Sequence, residues 1–160
     1  MPIRSATRAI AIISLSFFAL ALALLASNVA TGATDPWTPA QTIQPAELAK
    51  ELTNSKTAPI VVFVGFQRLY TAGHIKGAQF HGSGGSADGL AQLKTWAASL
   101  PRTTNLVIYC GCCPMERCPN LHPAFSALHE MGFTKLRALI LPTDFAADWA
   151  DKGYAYDKSQ

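Results

Sequence analysis

The chain has 160 residues, about the length of one domain, with four cysteines and a formal net charge of +3. Without its first 33 residues, which contain two arginines and no acidic residue, the net charge falls to +1. This balance leaves no basic stripe for nucleic acid. The sequence also has none of the phosphate-loop, dinucleotide, zinc-protease or serine-hydrolase patterns.

The amino terminus resembles an export signal. Arg4 and Arg8 form a positive segment, residues 9–26 are uncharged and apolar, and small residues follow up to Ala33. We predict cleavage after Ala33, with Ala30 as the competing site. Because the apolar run is almost long enough to span a bilayer, an uncleaved membrane anchor is the alternative, and only then would the protein contact a membrane. Both alternatives place the domain outside the cytoplasm, in the periplasm or an equivalent compartment.

The first elements of the mature chain are a helix and a buried strand. Residues 34–40 are predicted to be a linker before a single domain over residues 41–160. Pro45 suits the first turn of an amphipathic helix. Pro59 then precedes a continuous apolar run, residues 60–64, which is typical of a strand covered on both faces.

A flexible loop, a second helix and a second strand follow. Residues 82–89 are rich in glycine and serine, and Asp88 is predicted to cap a helix that ends at Pro101. Residues 106–109 form the next apolar run. Strand and helix have therefore alternated twice by this point in the chain.

The last third repeats the alternation. Leu121, Phe125 and Leu128 lie on one face of a predicted helix, a third strand is predicted over residues 138–141, and a final helix ends near Gly153. Alternating strands and helices predict an α/β fold with a mostly parallel sheet flanked by helices on both faces. The sequence contains no internal repeat.

All four cysteines lie in residues 110–120, CGCCPMERCPN, between the second strand and the following helix. Such junctions are where α/β folds bind ligands, and the N–H groups that begin a helix stabilise thiolates. We therefore expect Cys110, which ends the strand, to be a thiolate nucleophile. Disulfides within so short a segment would restrict the unfolded chain little, which argues against a disulfide framework.

Residues 72–80, AGHIKGAQF, resemble the GHIxGA segment of the rhodanese superfamily. The similarity continues in the same order through VIYC ending at Cys110, HEMGFTKLRALIL from His129 and DWADKGYAY from Asp148, and so covers nearly the whole mature chain. The resemblance implies a rhodanese-like fold. It also implies a sulfurtransferase in which a persulfide on Cys110 carries sulfane sulfur from a donor such as thiosulfate to a thiophilic acceptor.

The resemblance further implies an anion site in the cysteine loop. Arg117 is expected to orient a small sulfur-containing anion, because a guanidinium offers a rigid fork of donors. The loop backbone at Gly111, Cys112 and Cys113 is expected to hold the persulfide. Arg117 is farther from Cys110 than the corresponding arginine of a typical rhodanese, so this loop is longer. We expect a monomer that uses a thiol or cyanide as acceptor and needs no cofactor.

Three hypotheses fit the additional thiols of Cys112, Cys113 and Cys118. They resolve the persulfide on Cys110, they bind a soft metal, or they form a disulfide within the loop. Copper(I) is the best metal candidate, with His122 as a possible further ligand. The alternative functions are accordingly a soft-metal binding module on a rhodanese scaffold and a catalytically silent rhodanese-like binding domain.

Overall fold

The computed structural model describes residues 35–159. The predicted signal, residues 1–33, lies outside this range. Within the described range, no helix has the length and apolar character needed to cross a membrane.

Seven strands form two sheets. The main sheet has five strands in the order β1-β6-β5-β2-β4, and all its neighbours are parallel. A small antiparallel sheet pairs β3 with β7. The strands are β1 (Thr42–Ile43), β2 (Ile60–Phe63), β3 (His74–Ile75), β4 (Gln79–Phe80), β5 (Asn105–Tyr109), β6 (Lys135–Leu139) and β7 (Tyr156–Asp157).

Helices cover both faces of the main sheet. The α-helices are α1 (Pro45–Glu51), α2 (Gln67–Ala72), α3 (Ala87–Ala98), α4 (Leu121–Glu130) and α5 (Phe145–Asp148), and the 3₁₀ helices are Pro39–Gln41, Met115–Arg117 and Ala150–Lys152. On one face, Leu93 of α3 and Phe125 of α4 share a core with Ile108 of β5. On the other, Leu48 of α1 packs with Val107. The predicted mostly parallel α/β architecture is confirmed.

Two predicted boundaries differ from the structure. Strand β6 covers Lys135–Leu139 instead of residues 138–141, because Arg137 pairs with Glu51 at 2.7 Å while its strand neighbours face the core. Helix α3 begins two residues earlier than predicted. Its cap is Ser86, whose hydroxyl oxygen accepts a hydrogen bond from the Gly89 N–H at 3.1 Å, so Asp88 lies in the first turn.

The segment predicted to be a linker packs on the domain. Trp37 is only 9% exposed, and its ring lies edge-on to His122 and Phe125 with centroid distances of 4.8 and 5.4 Å. The 3₁₀ helix Pro39–Gln41 follows directly. Residues 35–40 are therefore part of the packed structure, because Trp37 covers the outer surface of α4.

Candidate active site

Strand β5 is the central strand of the main sheet and ends at Tyr109. Cys110 follows directly, at the carboxyl end of this strand. Side chains alternate along a strand, so Cys110 continues the face formed by Leu106 and Ile108, which α3 and α4 cover. Cys110 is 2% exposed. A Cβ atom added at Gly65, just beyond the neighbouring strand β2, would lie 3.0 Å from the Cys110 sulfur, so a side chain there would crowd the thiol.

The structure brings the loop thiols together. The sulfurs of Cys110, Cys112 and Cys118 all lie within 4.8 Å of one another, and the Cys110 and Cys112 sulfurs are 3.2 Å apart. Cys113 is in contact with Cys112, also at 3.2 Å between sulfurs, but does not belong to that group of three. All four cysteines are free thiols.

Cys118 lies just before α4 and is the thiol that favours the ionised form. Hydrogen bonding with the Cys110 thiol and with the backbone N–H groups of Asn120 and Leu121 lowers the pKa of Cys118 to about 5, against the opposing effect of burial. These N–H groups belong to the beginning of the helix, where backbone donors have no partner within the helix. These contacts therefore favour the ionised form of Cys118.

The pKa of Cys110 moves in the opposite direction. Hydrogen bonding with Cys118, burial and the adjacent charge of Cys118 all raise the pKa of the Cys110 thiol well above its usual range. This differs from the expectation of a thiolate at Cys110. The reason is the length of the loop: α4 does not begin until Leu121, so its N–H groups reach Cys118 instead. Burial likewise raises the pKa of Cys113, to about 12.

Asn120 is a functional residue that the sequence analysis missed. Its side chain is fully buried, and its amide nitrogen donates to the Cys110 sulfur at 3.5 Å and to the Cys112 sulfur at 3.9 Å. The amide oxygen accepts from the Gly85 N–H at 3.0 Å and from the Ser83 hydroxyl at 2.8 Å. Because a backbone N–H can only donate, the Gly85 contact fixes the amide orientation and directs the NH₂ group at the sulfurs.

The glycine-rich loop allows Asn120 to occupy this position. A Cβ atom at Gly85 would lie 2.6 Å from the Asn120 amide oxygen, and one at Gly84 would collide with the Asn120 carbonyl oxygen. The segment that was predicted to be flexible therefore packs closely on the cysteine loop. The only sequence signal for Asn120 is its place immediately before the apolar face of α4.

A cavity of about 480 Å³ opens over Cys110 and Cys112. Its walls are largely apolar and include Phe63 and Phe145. Among the described residues, the charged residues that line it are Asp144 and Asp151, and none of the lining residues is basic. The remaining lining residues are Leu69, Ala72, Gly73, Gly111, Ala146, Ala150 and Tyr156.

Gly111 contributes to the cavity through its backbone geometry. Its φ is +70°, and a Cβ atom there would lie 2.7 Å from the Phe145 Cβ. The Gly111 carbonyl accepts a hydrogen bond from the Phe145 N–H at 3.0 Å. A residue without a side chain is thus required where the loop leaves Cys110 and meets α5.

The two other predicted ligands, Arg117 and His122, are not among the residues that line the cavity. Arg117 is exposed on the 3₁₀ helix Met115–Arg117 and does not line the cavity. The His122 ring nitrogen Nε2 lies 3.2 Å from the Met115 carbonyl oxygen and 3.3 Å from an Asp35 carboxylate oxygen. Neither residue lines the cavity over Cys110.

Several solved structures are similar to this domain. The domain is similar to the rhodanese-like domain of the Alr3790 protein from Anabaena sp., with a TM-score of 0.54 and 20% identity over 74% of this chain and 79% of that one. It is also similar to the BH2092 protein of Bacillus halodurans, with a TM-score of 0.58 and 19% identity over 74% of this chain and 77% of that one. The protein has the rhodanese-like fold.

The domain is also similar to part of a structure that contains a cysteine persulfide. A variant of EanB that carries a cysteine persulfide, in a tetrahedral intermediate state with ergothioneine, matches with a TM-score of 0.57 and 19% identity over 73% of this chain and 28% of EanB. Neither protein-family models nor curated protein sequences gave a match. At these identities the similarity shows a shared rhodanese-like fold.

Proposed function

We propose that this protein is a sulfurtransferase that carries sulfane sulfur as a persulfide on Cys110. The observation that supports this function best is the group of thiols at the cavity: Cys110 lines the cavity, and the sulfur of Cys118 lies within 4.8 Å of the Cys110 sulfur. The Asn120 amide donates to the same Cys110 sulfur at 3.5 Å. A nucleophile, a base and a hydrogen-bond donor therefore meet within one loop.

The first half-reaction begins with a proton transfer. In the Cys110–Cys118 pair, which shares one negative charge, the proton of Cys110 shifts to Cys118 as the bond to the donor forms, so that the charge moves to Cys110. Its sulfur attacks the sulfane sulfur of the donor, the sulfur–sulfur bond of the donor breaks, and the leaving group departs with the electron pair. The product is a persulfide anion on Cys110, which the Asn120 N–H stabilises.

The second half-reaction returns the protein to its starting state. A thiophilic acceptor attacks the outer sulfur of the persulfide, the bond between the two sulfurs breaks, and Cys110 leaves as a thiolate. Cys118 then gives back the proton. The two steps transfer one sulfur atom with no net oxidation or reduction, so the cycle needs no redox cofactor.

The charge of the residues that line the cavity affects which sulfur donor the protein can use. Thiosulfate, the donor that the resemblance implies, is a dianion. The charged residues that line the cavity, Asp144 and Asp151, are acidic as well. Like charges repel in a partly desolvated cleft. We therefore propose that a monoanionic donor such as methanethiosulfonate is used better than thiosulfate. On the leader sequence alone, we also propose that the protein acts outside the cytoplasm.

The test uses single-turnover mass spectrometry. Reduced protein is treated with methanethiosulfonate or thiosulfate, and the intact mass is followed before and after addition of cyanide. We expect a gain of one sulfur atom that disappears as thiocyanate forms, and no gain in Cys110→Ser. Cys113→Ser is the matched control and should gain sulfur as wild type does. Sulfur transfer by Cys110→Ser at the wild-type rate would refute the assignment.

A further inference from the structure

We propose that Cys110, Cys112 and Cys118 form a three-thiolate site for monovalent copper and that Cys113 is not a ligand. The three sulfurs lie within 4.8 Å of one another, which lets a single small ion contact all of them. Cys110 and Cys118 are each only 2% exposed, and Cys112 is half-buried on the cavity side. The site is therefore preformed and can be reached by an ion entering through the cavity.

The donor set favours a soft ion of low coordination number. Thiolate sulfur selects soft ions such as copper(I), whereas structural zinc sites take four ligands in a tetrahedron. Among the described residues, the group of metal-type ligands here contains three members. His122, the other candidate, is held by Met115 and Asp35. Among the described His, Cys, Asp and Glu residues the group therefore has three members, and Cys113, whose sulfur contacts that of Cys112 at 3.2 Å, lies outside it.

The surroundings of the thiols disfavour a water molecule as a further ligand. A narrow gap next to Cys110 and Cys118 is lined by Gly111, Cys113 and four buried apolar side chains, those of Met115, Leu121, Leu139 and Leu141. An apolar wall offers no hydrogen-bond partners to a metal-bound water. On this buried side, the neighbours accommodate a thiolate-bound ion without a bound water molecule.

Copper binding has a consequence for the sulfur chemistry. Cys110 is both the proposed persulfide carrier and a ligand, and one sulfur cannot serve both roles at once. Bound copper(I) should therefore block sulfur transfer, while a persulfide on Cys110 should block copper. The copper(I) titration measures binding and not activity. A failure to bind copper is therefore distinct from a failure of the sulfurtransferase assignment, on which this consequence rests.

The experiment is an anaerobic copper(I) titration of the reduced protein against a chromophoric chelator. We expect one copper per chain. Cys112→Ser and Cys118→Ser should lose affinity by more than about 100-fold, the upper end of the cost of losing a supporting partner of a metal ligand. Cys113→Ser is the matched control, since it removes a neighbouring thiol of the same loop, and should bind within about threefold of wild type.

Three outcomes would overturn the site. They are no competition with the chelator, an equal loss of affinity in Cys113→Ser and Cys112→Ser, and tighter binding of zinc than of copper(I) at the same stoichiometry. Circular dichroism of each variant checks the fold. Should Cys118→Ser fail to fold, Cys112→Ser carries the test, because Cys112 is half-exposed and tolerates a serine.

Discussion

The end of strand β5 and the beginning of helix α4 each contribute one buried thiol, and the two thiols behave in opposite ways. Cys110 and Cys118 have the same exposed fraction, 2%. The pKa of Cys110 is nevertheless raised, whereas that of Cys118 is lowered to about 5. The largest cause of both shifts is the interaction between the two thiols, which favours charge on Cys118, and the N–H groups at the helix start act in the same direction on Cys118. Burial alone therefore does not identify the reactive ionisation state of a cysteine.

The largest effect is expected from the Cys118→Ser substitution, which tests whether Cys110 is the nucleophile and Cys118 the base. Cys118→Ser should still form the persulfide on Cys110 but at a rate lower by roughly 10²–10⁴-fold, the usual contribution of a positioned general base. The pH profile should change as well. Wild-type kcat/KM should fall as the pH drops through about 5, because protonated Cys118 cannot accept a proton. In Cys118→Ser the fall should begin at a more alkaline pH, because burial raises the pKa of Cys110.

Stopped-flow measurement of persulfide formation across the pH range checks both expectations. Cys113→Ser serves as the control and should retain the acid limb of wild type. Identical rates and identical profiles for wild type and Cys118→Ser would show that the two thiols are not coupled in the reaction.

A smaller effect is expected from substitution of Asn120, whose side-chain amide donates to the Cys110 sulfur. Asn120→Asp keeps the oxygen that accepts from Gly85 but replaces the NH₂ group that donates to Cys110. Loss of a hydrogen bond to a charged sulfur costs on the order of 1.5–3 kcal/mol, which lowers the rate of persulfide formation by roughly 10- to 100-fold. Ser83→Ala, which removes a bond to the amide oxygen only, is the control and should be close to wild type.

The smallest effect is expected at the exposed charge outside the cavity. Arg117→Ala should change the KM for thiosulfate by less than about twofold, because exposed charges contribute little. Asp151→Asn, which neutralises a charge that lines the cavity, should lower that KM more. Steady-state kinetics with thiosulfate and cyanide provides the comparison. A severalfold rise in KM for Arg117→Ala would instead show that the loop closes over the donor.

The fold was predictable because its signals are local and periodic. Continuous apolar runs identified β2 and β5, and the residues after Leu106 alternate between two covered faces, so the position of Cys110 followed from the sequence. Strand β6 was placed too late because the polar side chain of Arg137 lies within it and finds a partner, Glu51, that is distant in sequence.

The electrostatics of the site could not be predicted in the same way. Which thiol receives the helix N–H groups depends on the path of residues 111–120, and no periodicity in the sequence sets that path. The same path carries Arg117 to the surface. Asn120 was missed for a related reason, since its partners Ser83 and Gly85 come from a different loop.

The bridge that Asn120 makes between the two loops gives the protein an internal spectroscopic reporter. One side chain contacts the Gly85 N–H through its oxygen and the Cys110 sulfur through its nitrogen. A change of charge or of bonding at the Cys110 sulfur changes its hydrogen bond with the Asn120 NH₂ group. The amide then shifts, which also changes the hydrogen bond between the Asn120 oxygen and the Gly85 N–H. The nuclear magnetic resonance signal of the Gly85 amide should therefore shift with the chemical state of Cys110, without a label near the sulfur.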